Sequence, residues 1–396
     1  MVLRILPVLL LTLVLSDLYL YFRFMRGRRH KLWAYISFFL PNALLLLAAL
    51  VLTCTEDHTP ANMSQMIVFF SLYMLIALPK MMFVIVDLIG QAVSFFFPKA
   101  RKACTVVSST AALLLFAVMG CGVTFGPSLL QVRHAHFSSP DLPAAFDGYR
   151  IVQLSDLHLT SFRNRPHMVE KIVGRIMEQQ PDMIVFTGDL VSNSADELDG
   201  FEKALSSLHA PDGVYSILGN HDYMTYARYL TPEGQARQLE ELKARQRTMG
   251  WDLLLNEHRV VRQGRDSIVV VGVENDGKPP FPERGDLKKA LGNVPGFGHT
   301  DSTAAVFKVL LSHDPSHWKR KVLPQTDIQL TLSGHTHGMQ FMLFGWSPSQ
   351  YLYPEWKYMY RKEGRALYVS LGLGGALIPF RFGAWPEINV ITLHNK

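Results

Sequence analysis

The chain has 396 residues with a formal net charge of +6 at neutral pH, and 48% of its residues are hydrophobic. Apolar residues are concentrated in roughly the first 125 positions, which indicates two domains in two different solvents. We expect no nucleic-acid partner, because basic residues beside apolar runs are typical of membrane topology. Since the three cysteines, Cys54, Cys104 and Cys121, all lie in the apolar part, the rest of the chain has no thiol for a disulfide or a soft metal ion.

Four apolar runs in the N-terminal third are long enough to cross a hydrocarbon layer of about 30 Å as helices. They cover residues 2–22, 32–52, 66–89 and 106–125. A cleaved signal peptide is a poorer interpretation of the first run, because Asp17 interrupts its end and three further runs follow. The sequence therefore predicts an all-α transmembrane domain of four helices over residues 1–130, a linker over residues 131–148 and a second domain over residues 149–396.

The charges of the connections predict how these helices are oriented. Basic residues crowd two connections: Arg23, Arg26, Arg28, Arg29 and Lys31 lie in the first, and Lys99, Arg101 and Lys102 lie in the third. The second connection carries Glu56 and Asp57 without any Lys or Arg. Because Lys and Arg accumulate on the cytoplasmic side, we expect an integral protein of the plasma (inner) membrane with its second domain on the non-cytoplasmic side.

Two charged residues, Lys80 and Asp87, lie seven positions apart on one face of the third apolar run. Charged groups in hydrocarbon are costly unless they are paired or close to the interface. The pair indicates either a small polar site inside the bundle or, as we prefer, a lysine that reaches toward the interface beside Pro79 and an aspartate near the cytoplasmic end.

From residue 149 onward, short apolar runs separated by helical segments predict an α/β domain. Five of these runs are predicted strands that end in Asp, Asn or His. Residues 150–154 precede Asp156 and His158, residues 183–186 precede Asp189, residues 214–218 precede Asn220, His221 and Asp222, residues 309–311 precede His313, and residues 328–332 precede His335 and His337. One such residue is more often a turn former or a helix cap. Five together predict one convergent site, because ligands bind beyond the carboxyl ends of strands in open α/β sheets.

The donor types at these strand ends point to a metal site. Nitrogen and oxygen ligands without thiolates suit divalent ions such as Mn, Fe(II) and Zn. Asp156 and His158 are two residues apart, as are His335 and His337. Residues with this spacing on an extended chain share a face, so each pair can point toward one cluster.

The chain resembles the calcineurin-like metallophosphoesterase family in five motifs that occur in family order: Asp156-x-His158, Gly188-Asp189, Gly219-Asn220-His221-Asp222, His313 and Gly334-His335-x-His337. The resemblance covers residue 149 to the C-terminus and is closest to the membrane-anchored bacterial branch. It implies a β-sandwich of two mixed sheets flanked by helices, with two divalent metal ions (Mn, Zn or Fe).

The resemblance also implies a role for each site residue. One ion would be held by Asp156, His158, Asp189 and His337, and the other by Asp189, Asn220, His313 and His335, with Asp189 as the bridge. His221 would be catalytic without binding metal, and Asp222 would orient it. Arg381, in a family-like Pro-x-Arg-Phe-Gly segment, is a candidate for contacting the substrate phosphate, although arginines more often lie on the surface or cap a sheet.

Two positions depart from related enzymes. Ser192 stands where purple acid phosphatases of the superfamily have a tyrosine ligand, which argues against a ferric tyrosinate site. Met339 stands where related membrane-anchored enzymes have a glycine, so we expect a more apolar rim. Eight aromatic residues between positions 341 and 360 indicate either an apolar groove or membrane contact, or a core hairpin that buries alternate side chains.

We therefore expect a membrane-bound phosphoesterase that hydrolyses a lipid-linked phosphoester or pyrophosphate. Two divalent ions would activate a hydroxide for attack on phosphorus, and no serine or cysteine nucleophile motif is present. Two alternatives stay open: an enzyme that faces the cytoplasm and acts as a UDP-diacylglucosamine-type pyrophosphatase, and a membrane sensor that binds phosphorylated ligands without hydrolysing them.

Overall fold

A computed structural model describes residues 2–27, 30–54, 60–227, 230–292, 294, 306–376, 378 and 380–396. The chain divides into two compact units, Met1–Phe125 and Gly126–Lys396.

The first unit is built from long apolar helices. They are α1 (Val2–Leu20), which continues into a π-helical turn at Tyr21–Met25, α2 (Leu32–Cys54), α3 (Pro60–Phe96) and α4 (Arg101–Thr124). Large apolar side chains such as Phe95 and Leu113 are more than half exposed, which suits lipid as the surrounding solvent. Among the described residues, four helices are long and apolar enough to cross a membrane, as the sequence predicts. Helix α3 has 37 residues and is longer than the predicted span 66–89.

Lys80 and Asp87 on α3 are both paired. Lys80 Nζ lies 2.8 Å from Asp17 Oδ1 on α1. The buried Asp87 accepts hydrogen bonds from Arg23 Nε at 2.9 Å and from the Tyr19 hydroxyl at 2.6 Å. The preferred interpretation of Lys80 as a lysine that reaches toward the interface is therefore wrong, because Asp17 of α1 pairs with it. Asp87 instead pairs with Arg23 of the π-helical turn, in the basic first connection. Pairing of this kind reduces the cost of placing charge in hydrocarbon.

The second unit contains two six-stranded sheets. Its strands are β1 (Gln131–Ser139), β2 (Arg150–Leu154), β3 (Met183–Phe186), β4 (Val214–Ser216), β5 (Asp252–Leu253), β6 (Glu257–Gln263), β7 (Asp266–Gly272), β8 (Lys308–Leu311), β9 (Leu330–Ser333), β10 (Tyr358–Lys362), β11 (Arg365–Val369) and β12 (Glu387–Asn395). Its helices are α5 (His167–Met177), α6 (Glu202–Leu205), α7 (Pro232–Thr248), α8 (Leu287–Leu291), α9 (Leu323–Gln325) and α10 (Ser349–Leu352).

Both sheets mix parallel and antiparallel pairs, which confirms the predicted sandwich. The first has the order β1-β12-β2-β3-β4-β5 and the second β10-β11-β9-β8-β7-β6. Strands β2 to β5 run parallel to one another in the first sheet, and so do β7, β8, β9 and β11 in the second. Apolar side chains such as Ile151, Val270 and Leu332 fill the space between the sheets. Helix α5 buries an apolar face with helical spacing, including Ile172 and Ile176, on the outer side of the first sheet.

The segment predicted to be a linker, residues 131–148, needs correction. Strand β1 occupies Gln131–Ser139 and pairs in parallel with the last strand, from Gln131 opposite Glu387 to Ser139 opposite Asn395. The paired residues are 256 positions apart in sequence, so local composition could not identify the partner strand. This segment is part of the first sheet rather than a connection to it.

Packing between the sheets predicts a graded effect of truncation at Ile151, which is fully buried. We expect Ile151→Ala to lower the free energy of unfolding of the second unit by about 2–5 kcal/mol, and Ile151→Val by about 0.5–1.5 kcal/mol, because larger cavities cost more. Tryptophan fluorescence during denaturant unfolding of the detergent-purified chain measures both changes. The exposed Val260→Ala is the control, and an Ile151→Ala effect no larger than that of Val260→Ala would contradict this packing.

Candidate metal centre

The carboxyl ends of β2, β3, β4, β8 and β9 bring the predicted site residues together. Three groups of their side chains each have ligand atoms within 4.8 Å of one another: Asp156, His158 and His337; His158, Asp189 and His221; and Asp189, His313 and His335. Asp156, His158 and His313 are fully buried, and Asp189 and Asn220 are nearly so. The convergence expected from five strand ends is present.

The first group centres on two imidazoles that face each other. His158 Nε2 and His337 Nε2 lie 3.2 Å apart, and His337 Nε2 is 3.3 Å from Asp156 Oδ1. When the nitrogens of two neutral imidazoles face each other, at most one can donate a hydrogen bond to the other, so a lone pair in the group is left without a donor. A cation between them would satisfy these nitrogens and the carboxylate together.

The second group brings donors from both sheets around one imidazole. His335 Nδ1 lies 2.8 Å from Asn220 Oδ1 and 3.3 Å from His313 Nε2. His313 Nδ1 donates to the carbonyl of Thr187 at 2.7 Å, so its Nε2 is left for the centre. This atom lies 3.1 Å from Asp189 Oδ2.

Asp189 lies between the two groups. Its Oδ2 is 3.1 Å from His313 Nε2 on one side and 3.6 Å from His158 Nε2 on the other. Its Oδ1 accepts a hydrogen bond from the backbone amide of His221 at 2.9 Å. The Asp189 carboxylate therefore belongs to two of the ligand groups.

His221 is held at the edge of the same cluster. Its Nδ1 lies 2.9 Å from the carbonyl oxygen of Ser192, which fixes Nδ1 as the protonated nitrogen and leaves Nε2 to face the centre. Its ring also contacts Tyr226, with ring centroids 4.4 Å apart.

The Asp222 carboxylate bonds to backbone amides and the His221 ring bonds to the Ser192 carbonyl, so the expectation that Asp222 orients this histidine is wrong. The carboxylate accepts hydrogen bonds from the backbone amides of Asp189, Leu190, Val191 and Gly219 at 2.8–3.1 Å. Burial and the charge of Asp189 raise the pKa of Asp222 to about 7, against the opposite effect of these amides. Asp222 therefore shapes the backbone that carries Asp189, while the Ser192 carbonyl orients His221.

Electrostatics show what the donor set needs. Burial lowers the pKa of His158 to about 3 and that of His335 to about 4. Burial also disfavours charge on His313, yet Asp189 and Asp156 raise the pKa of His313 to about 10. Burial would raise the pKa of Asp189, but His313 holds it well below the ordinary value. A buried carboxylate whose counter-charge is one histidine proton, surrounded by neutral imidazoles, fits divalent cations.

The backbone at the centre is unusual. Left-handed φ angles between 43° and 73° occur at five residues of the centre: Asp156, His158, Asp189, His335 and His337. Non-glycine residues rarely adopt this conformation, and such strain persists only where the surroundings impose it. Gly334 cannot be larger, because a Cβ there would overlap the hydroxyl of Ser155.

Two residues that sequence reasoning missed support His335. His335 Nε2 lies 2.8 Å from the Tyr353 hydroxyl, which in turn donates to Asp314 Oδ2 at 3.3 Å. This series of hydrogen bonds keeps the proton of His335 on Nε2 and leaves Nδ1 available to bind a cation. Asp314 directly follows His313 and Tyr353 lies in the aromatic segment, but only the fold shows that they meet.

Arg381 does not face a phosphate site, which corrects the expectation for it. Its side chain is 1% exposed and donates to the carbonyls of Leu371, Gly374 and Ala384. Its remaining donor lies 3.2 Å from His337 Nδ1. Arg381 therefore fixes the chain behind His337 rather than contacting substrate.

The aromatic segment divides between both interpretations. Tyr353 and Trp356 are buried, and strand β10 forms a hairpin with β11. The preceding stretch instead exposes six large apolar side chains, called here the apolar rim: Met339, Leu343, Phe344, Trp346, Tyr351 and Leu352. Phe344 is fully exposed. The rim begins two residues after His337, and the Ser347 hydroxyl anchors it to the carbonyl of Gly338 at 2.6 Å.

The raised pKa of His313 predicts that cation binding releases a proton. In the metal-free chain His313 is protonated below about pH 10, and it must lose that proton to become a ligand. Between pH 7 and 9 we expect about one proton released on binding, and affinity that rises by up to about tenfold per pH unit. Calorimetric titration with Mn²⁺ in buffers of different ionisation enthalpy measures this release. Release that is unchanged in His313→Asn would contradict the assignment.

Comparison with known proteins agrees with this geometry. The family model of calcineurin-like phosphoesterases matches residues 149–339, and that of a probable calcineurin-like phosphoesterase transmembrane domain matches residues 3–127. The metallophosphoesterase YkuE of Bacillus subtilis is 30% identical over 277 residues, which cover 67% of this chain and 86% of YkuE.

Two further relatives have membrane or lipid connections in their names. A transmembrane protein with metallophosphoesterase domain from Danio rerio is 31% identical over 71% of this chain and 62% of its own length. The UDP-2,3-diacylglucosamine pyrophosphatase LpxG of Chlamydia trachomatis is 29% identical over 66% of this chain and 88% of its own length. The chain is a metal-dependent hydrolase of the calcineurin-like phosphoesterase family, joined to a four-helix transmembrane domain.

Proposed function

We propose that the protein hydrolyses a lipid-linked phosphoester or pyrophosphate at the membrane surface, on the non-cytoplasmic side. The apolar rim carries this proposal, because it exposes six large apolar side chains beside the residues of the metal centre. Exposed apolar patches of this kind are typical of surfaces that bind apolar ligands or membranes. Spanning helices in the same chain support a substrate that resides in the bilayer.

Seven residues would hold two divalent ions of Mn, Zn or Fe. One ion would be held by Asp156, His158, Asp189 and His337. The other would be held by Asp189, Asn220, His313 and His335. When bound, such ions lower the pKa of water and neutralise charge on phosphate oxygens. Reconstitution of the metal-free chain with each ion separately identifies the metal that supports the highest rate.

His221 would serve the reaction through its proton. Because Nδ1 donates to the Ser192 carbonyl, the ring presents Nε2 toward the space between His158 and Asp189. When the ring is protonated on both nitrogens, Nε2 can donate its proton to the oxygen of the departing group as charge develops there. The surrounding carboxylates are buried, so few water molecules screen the hydrogen bond from His221 to the departing oxygen. This low screening strengthens the hydrogen bond.

Substitutions at Asp189 and His221 should separate metal binding from proton transfer. Asp189→Asn removes the shared negative charge, so we expect loss of bound metal and of hydrolysis together. His221→Ala should keep most of the metal while turnover falls by about 10²- to 10⁴-fold. Metal content and hydrolysis of bis(p-nitrophenyl) phosphate with added Mn²⁺ measure both effects. Full metal and rate in Asp189→Asn, or parallel loss of both in His221→Ala, would contradict these roles.

Substitution of the apolar rim tests the substrate class. We expect Phe344→Ser with Trp346→Ser to lower the ratio of kcat/KM for a lipid pyrophosphate in mixed micelles to kcat/KM for a soluble diester. The ratio should fall by at least about tenfold, because each large apolar side chain contributes about 1.5–3 kcal/mol when buried against lipid. Val260→Ser, at an exposed position on β6, is the matched control. Equal ratios in the rim variant and the wild type would refute a lipid-linked substrate.

A second candidate is an enzyme that faces the cytoplasm and cleaves a UDP-diacylglucosamine-type pyrophosphate. The likeness to LpxG favours it, since that relative is named for this activity. This candidate requires the opposite orientation of the second unit. Protease digestion of the catalytic unit in intact spheroplasts would support the non-cytoplasmic proposal, whereas protection until the membrane is broken would support the cytoplasmic one. A metal-loaded chain with no hydrolysis of any phosphoester would indicate a sensor instead.

A further inference from the structure

A basic groove lies at one end of the first unit, outside the metal centre. It is an open groove with a volume of about 640 Å³, lined by Arg23, Phe24, Arg101, Lys102, Thr105, Val106, Ser109 and Thr110. Its residues come from the π-helical turn after α1 and from the first three turns of α4. Nothing in the catalytic proposal uses this groove.

The charge of the groove is only partly balanced by protein groups. Arg23 donates to Asp87, which lies behind it in the bundle. Among the residues that the structure describes, no carboxylate pairs with Arg101 or Lys102, and both side chains are exposed. Both also lie in the first turn of α4, where the helix dipole disfavours cations, and the N-cap Ala100 supplies no side-chain cap. The groove therefore keeps a net positive charge that an anion would balance.

The other lining groups indicate the form of that anion. The hydroxyl groups of Thr105 and Ser109 donate to backbone carbonyls of α4, so the basic side chains supply the donors for phosphate oxygens. The exposed side chain of Val106 and the ring of Phe24 add apolar surface. Basic and apolar groups side by side at the ends of spanning helices match the boundary between lipid headgroups and acyl chains.

We infer that this groove binds the phosphate headgroup of an anionic glycerophospholipid. Topology alone requires basic residues near helix ends, but it does not require a cavity lined by basic side chains from two separate helical segments. The volume lies in the usual range of about 300–1,000 Å³ for small-molecule sites. The inference does not depend on the substrate proposed for the metal centre.

Native mass spectrometry of the full chain in detergent tests this site. Phosphatidylglycerol is titrated against phosphatidylcholine with the same acyl chains. We expect the wild type to prefer phosphatidylglycerol, and Arg101→Gln with Lys102→Gln to lose about 30-fold in affinity for it, the combined effect of two charges near the membrane surface. Arg101→Lys with Lys102→Arg keeps both charges and should keep binding.

Lys31→Gln with Lys99→Gln is the matched control, because it removes two exposed charges that do not line the groove. This control should bind phosphatidylglycerol like the wild type, and excess inorganic phosphate should not displace the lipid. Equal loss in both double variants would assign binding to general surface charge and overturn the site. Unchanged binding in the groove variant, or displacement by phosphate, would overturn it as well.

Discussion

The catalytic unit depends on the cost of burying the Asp189 carboxylate at the meeting point of two sheets. An unpaired carboxylate in that position would be strongly destabilising. His313 and His158 approach one of its oxygens, and the backbone amide of His221 donates to the other. Asp222 then ties the loop after β3 to the loop after β4 by accepting four backbone hydrogen bonds. The glycine at 219 serves the same end, because a Cβ there would overlap the Asp189 carboxylate.

The sequence predicted the parts of this arrangement that are encoded locally. Apolar runs located β2, β3, β8 and β9 within about two residues, and the residues after each run supplied the donors that meet in space. The carboxyl ends of parallel strands lie at one edge of a sheet. Residues that follow such strands can therefore be predicted to lie close together from the sequence alone. Family resemblance added the division into two groups around Asp189, which remains a proposal for the bound ions.

Other features depend on long-range packing that no local pattern carries. Asp222 follows His221 in the chain, so adjacency suggested a partnership, yet its carboxylate points at the β3 loop. Arg381 lies in a segment that resembles a family motif, but its burial gives it a structural role behind His337. The intramembrane charges were misjudged for the same reason, because Asp17 and Arg23 reach α3 only in the folded bundle. In each case the partner lies on another element.

The pairing of β1 with β12 decides where a soluble catalytic fragment can begin. A fragment that starts at residue 149, as composition alone suggests, would lack β1 and leave β12 as a bare nine-residue edge with unpaired backbone groups. Edges of this kind recruit other chains and promote aggregation. A fragment that starts at Gly126 keeps the edge strand, and crystallisation or screening work on this enzyme would begin from that boundary.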